Sequence, residues 1–311
     1  MNTRQVAKGD RAFFGISSAA SFFTLALVFL VLIFLSFRSW TTFAEQGIKF
    51  VTGSTWDNTT NPGTFQILPM IVGTVLISMV GLAIAVPASV SVAYFIEYMA
   101  PPRISKIATS LIDLLAALPS VVIGLWGMMV LVPQASEWSG LLTQHLGFIP
   151  FFRNTSGNTL GSPFMAGWTV AIMIIPIITS VSREVMSRVD KELISASTAL
   201  GGTNFSTMRR VVIPTAKSGI LGGILLGLGR ALGETVAIFF VLNLIFDTNW
   251  YHILEPRGGS IPSLIVAKFG ETTPSELSAL MAAGVVLFIV TLIVNMIATS
   301  IVQRSEKRMA S

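Results

Sequence analysis

Two charged residues four positions apart, Arg230 and Glu234, stand in a run that is otherwise Gly, Ile, Leu and Ala from Gly219 to Gly233. On a helix that spacing puts both on one face. Gly219, Gly223 and Gly227 form a small-residue stripe along the same run, which lets a neighbouring helix approach closely. At 100° per residue, Glu234 falls within about 20° of the stripe and Arg230 about 60° from Gly227, so both charges are expected to point into a helix bundle. Counted from Ser218, where the apolar run begins, Arg230 lies roughly 18 Å deep at 1.5 Å per residue, near the middle of a bilayer. A guanidinium there costs about 2.5–3.5 kcal/mol on insertion scales and needs a partner or a wet cavity. It stays charged when desolvated, and its planar paired donors match an oxyanion. The chemistry on offer is anion passage: Arg230 meets the anion, Glu234 holds the guanidinium between passages, and Thr235 is a weaker donor. The alternative is an ion pair that only locks the fold.

The elements that must position these residues follow from composition. Of 311 residues, 52% are hydrophobic and 11% charged, whereas a soluble domain carries about 25% charged side chains. Six stretches are apolar enough to span a bilayer: Ile16–Phe37, Leu68–Phe95, Ile107–Val132, Phe164–Val181, Gly219–Phe246 and Leu277–Val302. The first is longer than a signal-peptide core and is followed by no small-residue cleavage site, so it is read as a retained helix. Fourteen Lys and Arg lie at one end of this arrangement, among them Arg4, Lys8, Arg11 and six within 183–217. Five lie at the other end: Arg38, Lys49, Arg153, Arg257 and Lys268. That bias puts both termini and the 183–217 loop in the cytoplasm. The outer loops, Thr52–Thr64, Phe152–Pro163 and Thr248–Pro262, are polar connectors or a docking surface for an external partner. Pro87, Pro119 and Pro176, inside spans, favour a packed bundle with a polar passage. The chain divides into residues 1–67 and a permease core, 68–311.

Other function classes fall away. The basic residues are scattered between apolar runs, with no aromatic-interleaved patch for nucleic acid. The absence of cysteine excludes disulfides and thiolate chemistry. His145 and His252 are single histidines without a second ligand at useful spacing, so no metal or other cofactor is expected. Asp113 is read as a structural residue inside the basic end of the third span, and Glu97 as an interfacial cap. No Ser/His/Asp set is present, and Ala216-Lys217-Ser218 lacks the glycines of a nucleotide-phosphate loop. Any ATP hydrolysis belongs to a separate subunit.

The segment between the fourth and fifth spans, Ser182–Ser218, carries Leu193, Ala196 and Leu200 at helical spacing. Gly201-Gly202 is expected to end that helix. A second short helix, Phe205–Val212, is expected to stop at Pro214. This stretch resembles the coupling segment of ABC importer permeases: Glu-Ala-Ala, three residues, Gly, nine residues, Ile-x-Leu-Pro. Here Ser195-Ala196-Ser197, Gly201 and Val211-Val212-Ile213-Pro214 take those places. The spacing is kept, but Ser195 replaces the glutamate and Ser197 an alanine, and Glu192 is the nearest acidic substitute. The resemblance implies that Glu192, Ser195, Ala196, Ala199, Leu200, Gly201 and Gly202 meet an ATPase subunit.

The run Gly227-Leu-Gly-Arg230-Ala-Leu-Gly-Glu234-Thr235 is similar to that of phosphate permeases of the PstC type. So are Gly9-Asp10-Arg11-Ala12-Phe13, Trp56-Asp57, Phe65-Gln66-Ile67-Leu68-Pro69 and Leu118 to Gly127, with Gln66 where glycine is usual. The resemblance implies an all-α bundle of six transmembrane helices, the type I ABC importer permease fold (MetI-like), in a bacterial or archaeal cytoplasmic membrane. It implies phosphate as cargo, Arg230 and Glu234 in its path, an external phosphate-binding protein, a sister permease of the PstA type and two ATP-binding subunits. Sulfate or molybdate is the alternative cargo, because arginine separates oxyanions poorly. An ion-coupled carrier would show inverted repeats with broken helices, which the sequence does not display.

Overall fold

The computed structural model describes residues 8–60 and 63–310. Arg4, counted above with the basic end, lies outside them. In chain order the structure contains α1 (Lys8–Gln46), α2 (Lys49–Thr52), β1 (Trp56–Asp57), β2 (Thr64–Phe65), α3 (Leu68–Tyr94), α4 (Pro102–Ala117), α5 (Ser120–Trp126) and α6 (Val132–Leu146). There follow α7 (Pro163–Met186), α8 (Lys191–Ala199), α9 (Asn204–Thr207), α10 (Ile213–Gly233), α11 (Val236–Val241), α12 (Ile261–Lys268) and α13 (Pro274–Ala310). Two π turns join neighbours end to end, Gly127–Leu131 between α5 and α6 and Met208–Val212 between α9 and α10, and a third, Phe95–Met99, prolongs α3 until the chain becomes extended at Ala100. Six helical stretches are long and apolar enough to cross a membrane, running from Phe13, Leu68, Ser120, Pro163, Asn204 and Pro274.

Helix α7 is the most enclosed of these, buried over 67% of its most apolar window. Glycine makes that possible. A Cβ on Gly167 of α7 would stand 2.4 Å from Val80 of α3, and one on Gly81 of α3 3.1 Å from Val170. Lipid tails supply no hydrophobic force between helices, so this close approach is what holds α3 on α7. Helix α10 packs on α7 in the same way. Gly219, Gly223 and Gly227 meet Val185, Val181 and Ile178 in antiparallel register, as the glycine stripe predicts. Helix α1 is different: its apolar window is wholly unburied, and it leans on α13, where the Thr42 hydroxyl donates to Ser278 Oγ at 2.9 Å. The β1–β2 hairpin pairs Trp56 with Phe65, and Trp56 Nε1 donates to the buried Glu276 in the first turn of α13 at 2.8 Å.

Two expected spans are cut differently. The expected span over 107–132 is two elements, because α4 ends at Ala117 and the chain is extended at Leu118 and Pro119. Proline disfavours helical geometry in the residue before it and removes a donor itself. None of α4 is buried; Asp113 therefore lies exposed on a surface helix, not inside a span. Arg183, at the end of α7, donates to Thr109 Oγ1 of α4 and ties that helix to the coupling end of the bundle. The third span instead runs Ser120–Leu146. The fifth span begins earlier than expected, at Asn204, and its helix stops at Gly233 rather than continuing toward Phe246. Pro214 does not stop a helix. It directly follows the π turn Met208–Val212, and the helix runs on through it to Gly233.

Candidate translocation site and coupling segment

The register of α10 on α7 fixes the height of the charged pair. With Gly223 opposite Val181 and Gly227 opposite Ile178, Arg230 stands level with about residue 174, the midpoint of α7. Arg230 lies in the last turn of α10, and the chain breaks immediately beyond it: Glu234 is extended, and α11 restarts at Val236. Glu234 is buried at 6% exposure, its Oε2 3.8 Å from an Arg230 nitrogen and its Oε1 accepting from Ala237 N at 3.4 Å. One carboxylate thus serves both the guanidinium before the break and the backbone after it. Thr235 donates its hydroxyl to the Gly233 carbonyl at 3.1 Å, so its proton satisfies one orphan of the helix end.

Sequence spacing expects both charges to face the interior; the structure separates them. The Arg230 side chain is 43% exposed. It sits at the edge of the face that packs on α7, next to an open face where Gly222, Gly229 and Gly233 have no neighbour within 4 Å and Leu226 is 60% exposed. The helix break adds to this by turning Glu234 inward while Arg230 stays on the helix. The arrangement is a buried acid beside a cation that faces space outside this chain.

The coupling segment is built as a projecting knob. Asp190 caps α8 by accepting from Glu192 N at 2.9 Å, and Gly201 ends the helix with a φ of +81°, a value that favours glycine. Glu192, Ser195, Ala196, Ala199 and Leu200 are all exposed, Leu200 at 90%. Phe205 adds a second exposed apolar side chain at 65%. Ser197, which replaces the customary alanine, faces inward, and its hydroxyl shares a 2.8 Å bond with Thr207 across the turn. Gly202 closes the same turn, its N–H donating to the Ser197 carbonyl at 2.9 Å.

Two residues missed in sequence hold this knob. Tyr94 donates to the Asn204 carbonyl at 2.9 Å, and Tyr98 donates to the Met186 carbonyl. Their spacing was the available signal: two of the chain's three tyrosines stand four apart at the polar end of an apolar span. At the opposite end of the bundle, Glu255 is fully buried. It accepts from the Thr155 N–H and hydroxyl at 2.6 and 2.7 Å and pairs with Arg257 Nε at 2.9 Å, joining two outer loops. Burial pushes its carboxyl up, but the Thr155 bonds with Arg257 and His252 more than offset this and hold it below the ordinary value. His252 lies in this same loop knot, its N–H bonded to Asn249. His145 bonds its own helix, Nδ1 lying 2.9 Å from the Leu141 carbonyl.

Residues 85–311, which include the coupling segment and the broken helix, match the profile of the binding-protein-dependent transport system inner membrane component family. A phosphate transport system permease protein PstC from Pasteurella multocida is 37% identical over 92% of this chain and 89% of its own length. PstC 2 from Mycobacterium tuberculosis is 34% identical over 97% and 94%. The chain belongs to the binding-protein-dependent transport permeases, PstC type.

The permease is accordingly a multi-pass membrane protein and a transport component of an ABC importer. Its fold is that of type I importer permeases. A subunit of a bacterial alginate ABC transporter superposes with a TM-score of 0.59 over 96% of both chains at 15% identity. A MetNI methionine ABC transporter chain does so with a TM-score of 0.55, covering 76% of the permease and 95% of that chain at 13% identity. A broken helix, the feature expected of ion-coupled carriers, occurs here at Glu234 within an ATP-driven family, so it does not by itself separate the two classes.

Proposed function

We propose that this permease carries inorganic phosphate across a bacterial or archaeal cytoplasmic membrane by alternating access, with Arg230 as the anion contact. The observation that carries the reading is the charged pair: a partly exposed guanidinium at mid-height of α7, held 3.8 Å from a buried carboxylate at a helix break. Phosphate matches the guanidinium's paired donors, and it is the cargo that the names of the relatives state. Glu234 is the counter-charge that parks Arg230 when no anion is present. Thr235 contributes only if its hydroxyl leaves the Gly233 carbonyl.

The open face of α10 supports a second permease, of the PstA type, completing the passage. An external phosphate-binding protein delivers the cargo, and two ATP-binding subunits engage the Glu192–Gly202 knob. Residues 68–311 form the permease core and 1–67 an added segment; the start of α3 at Leu68 supports that division. The basic end of the bundle, with both termini, faces the cytoplasm, and ATP hydrolysis resides in the partner subunits alone. The chain contains no cysteine, so Ser195→Cys gives one labelling site for orientation: reaction with an impermeant thiol reagent in intact cells would overturn it.

The decisive experiment is uptake by the assembled transporter carrying Arg230→Ala. Phosphate uptake is expected to be lost while the complex still purifies intact. Full uptake would remove Arg230 from the path, and failed assembly would assign the pair to the fold. Excess sulfate or molybdate is expected to leave phosphate uptake unchanged; competition by either would overturn the choice of cargo.

A further inference from the structure

Arg38 stands where the apolar run of α1 ends, at the end of the bundle opposite the coupling segment. Between α1 and the start of α13 lies a cavity of about 380 Å³, lined by Arg38, Thr41, Thr272, Thr273, Leu277 and Met281 among others. The Thr42–Ser278 hydrogen bond, 2.9 Å, clamps the two helices beside it and fixes the width of the groove. Among the described residues Arg38 has no ion-pair partner. Thr41 and Thr272 likewise make no side-chain hydrogen bond among the described residues, whereas the Thr273 hydroxyl is shared with Ser275 and accepts from Glu276 N. Counting the described side chains alone, the groove presents a positive charge and two hydroxyls without a partner against an apolar wall of Leu277 and Met281.

Depth identifies the ligand class. Phe37 is 80% exposed and Trp40 72% exposed on the same turn of α1. An exposed indole such as that of Trp40 marks the headgroup level of a bilayer, where an arginine stands within reach of lipid phosphates. We propose that this groove binds the headgroup of an anionic phospholipid. Arg38 takes two phosphate oxygens, Thr41 and Thr272 donate to the remaining ones, and Leu277 and Met281 lie along the glycerol and upper chains. Free phosphate shares this chemistry. A cleft between two spanning helices at the headgroup level, with one apolar wall, favours the lipid.

The test is native mass spectrometry of the full transporter complex released from nanodiscs of phosphatidylglycerol and phosphatidylcholine. The wild type is expected to retain one more phosphatidylglycerol per permease than Arg38→Gln. Apparent affinity should fall about tenfold, as for loss of one charge-assisted hydrogen-bonded pair. Arg38→Lys should recover part of the retention, and an unchanged melting temperature shows that the variants are folded. Equal retention by wild type and Arg38→Gln would overturn the proposal. Displacement of the lipid by excess inorganic phosphate would also overturn it, assigning the groove to the free anion.

Discussion

The phenol of Tyr94 donates a 2.9 Å hydrogen bond to the backbone carbonyl of Asn204, joining the end of α3 to the start of α9. One turn further on, Tyr98 donates to the carbonyl of Met186, the last residue of α7. The two phenols grip both ends of the coupling loop from a third spanning helix. A force on the knob therefore reaches α3 directly, as well as α7 and α10.

Removing both hydroxyls should loosen that grip without emptying the core, because Tyr→Phe keeps the ring. Each lost bond is worth about 0.5–1.5 kcal/mol. The double variant Tyr94→Phe, Tyr98→Phe is expected to keep ATP hydrolysis in the reconstituted transporter while phosphate taken up per ATP falls several-fold. An unchanged ratio would mean that α3 carries none of the load.

Gly201 offers a cleaner probe of the knob. A side chain there would meet nothing within 4 Å, yet the backbone has a φ of +81°, which a β-branched residue rarely adopts. Gly201→Val should therefore redirect the chain after α8 without any clash. The permease is expected to insert normally but to lose its ATPase subunit on purification. Retention of that subunit at wild-type stoichiometry would detach the knob from coupling.

The two faces of α10 predict opposite outcomes for the same substitution. A Cβ at Gly227 would stand 2.8 Å from Ile178, whereas Gly222 has open space around it. Gly227→Leu should force α10 off α7 and lower the melting temperature of the detergent-solubilised chain by several degrees, the effect of an overpacking cost of about 1–3 kcal/mol. Gly222→Leu should leave it unchanged. Equal effects at the two positions would contradict the packing described.

Glu255 gives the outer loops a pH dependence. Its carboxyl is held below the ordinary value of 4.5 in the folded chain. The contribution is therefore complete above that ordinary value and is lost as pH falls through the lower folded value. Protease cleavage in the 152–163 and 248–260 loops is expected to rise at acid pH in the wild type. Thr155→Val, which removes the hydroxyl bond, should bring that rise to a higher pH. A cleavage profile indifferent to the substitution would place the loop lock elsewhere.

What the sequence could disclose followed from what each signal measures. The stripe of Gly219, Gly223 and Gly227 was legible because small residues at helical spacing have one use in a bilayer, and α7 lies against it. The knob was legible from the spacing of Leu193, Ala196, Leu200 and Gly201. The break at Glu234 was not: hydropathy is a running average, and Val236 to Val241 is as apolar as the helix before it. The same averaging joined α4 to α5 across Pro119. The spacing of Tyr94 and Tyr98 marked the residues but not their acceptors, and the Glu255 lock left no local mark, because each depends on a carbonyl or amide remote in sequence.

The broken helix also shapes the electrostatic field around Arg230. A helix ends with about half a unit of negative charge on its unsatisfied carbonyls, and Arg230 shares its last turn with that end. The start of α11, whose Ala237 N–H already meets Glu234, brings about half a unit of positive charge, so with one carboxylate and one guanidinium the local sum is near zero. Alone, this chain does not trap an anion; it offers a donor in a nearly balanced field. On the proposed reading, tight capture would require positive potential from the facing surface, and withdrawal of that surface would let the ion go. On that reading, release is written into the polarity of the peptide backbone.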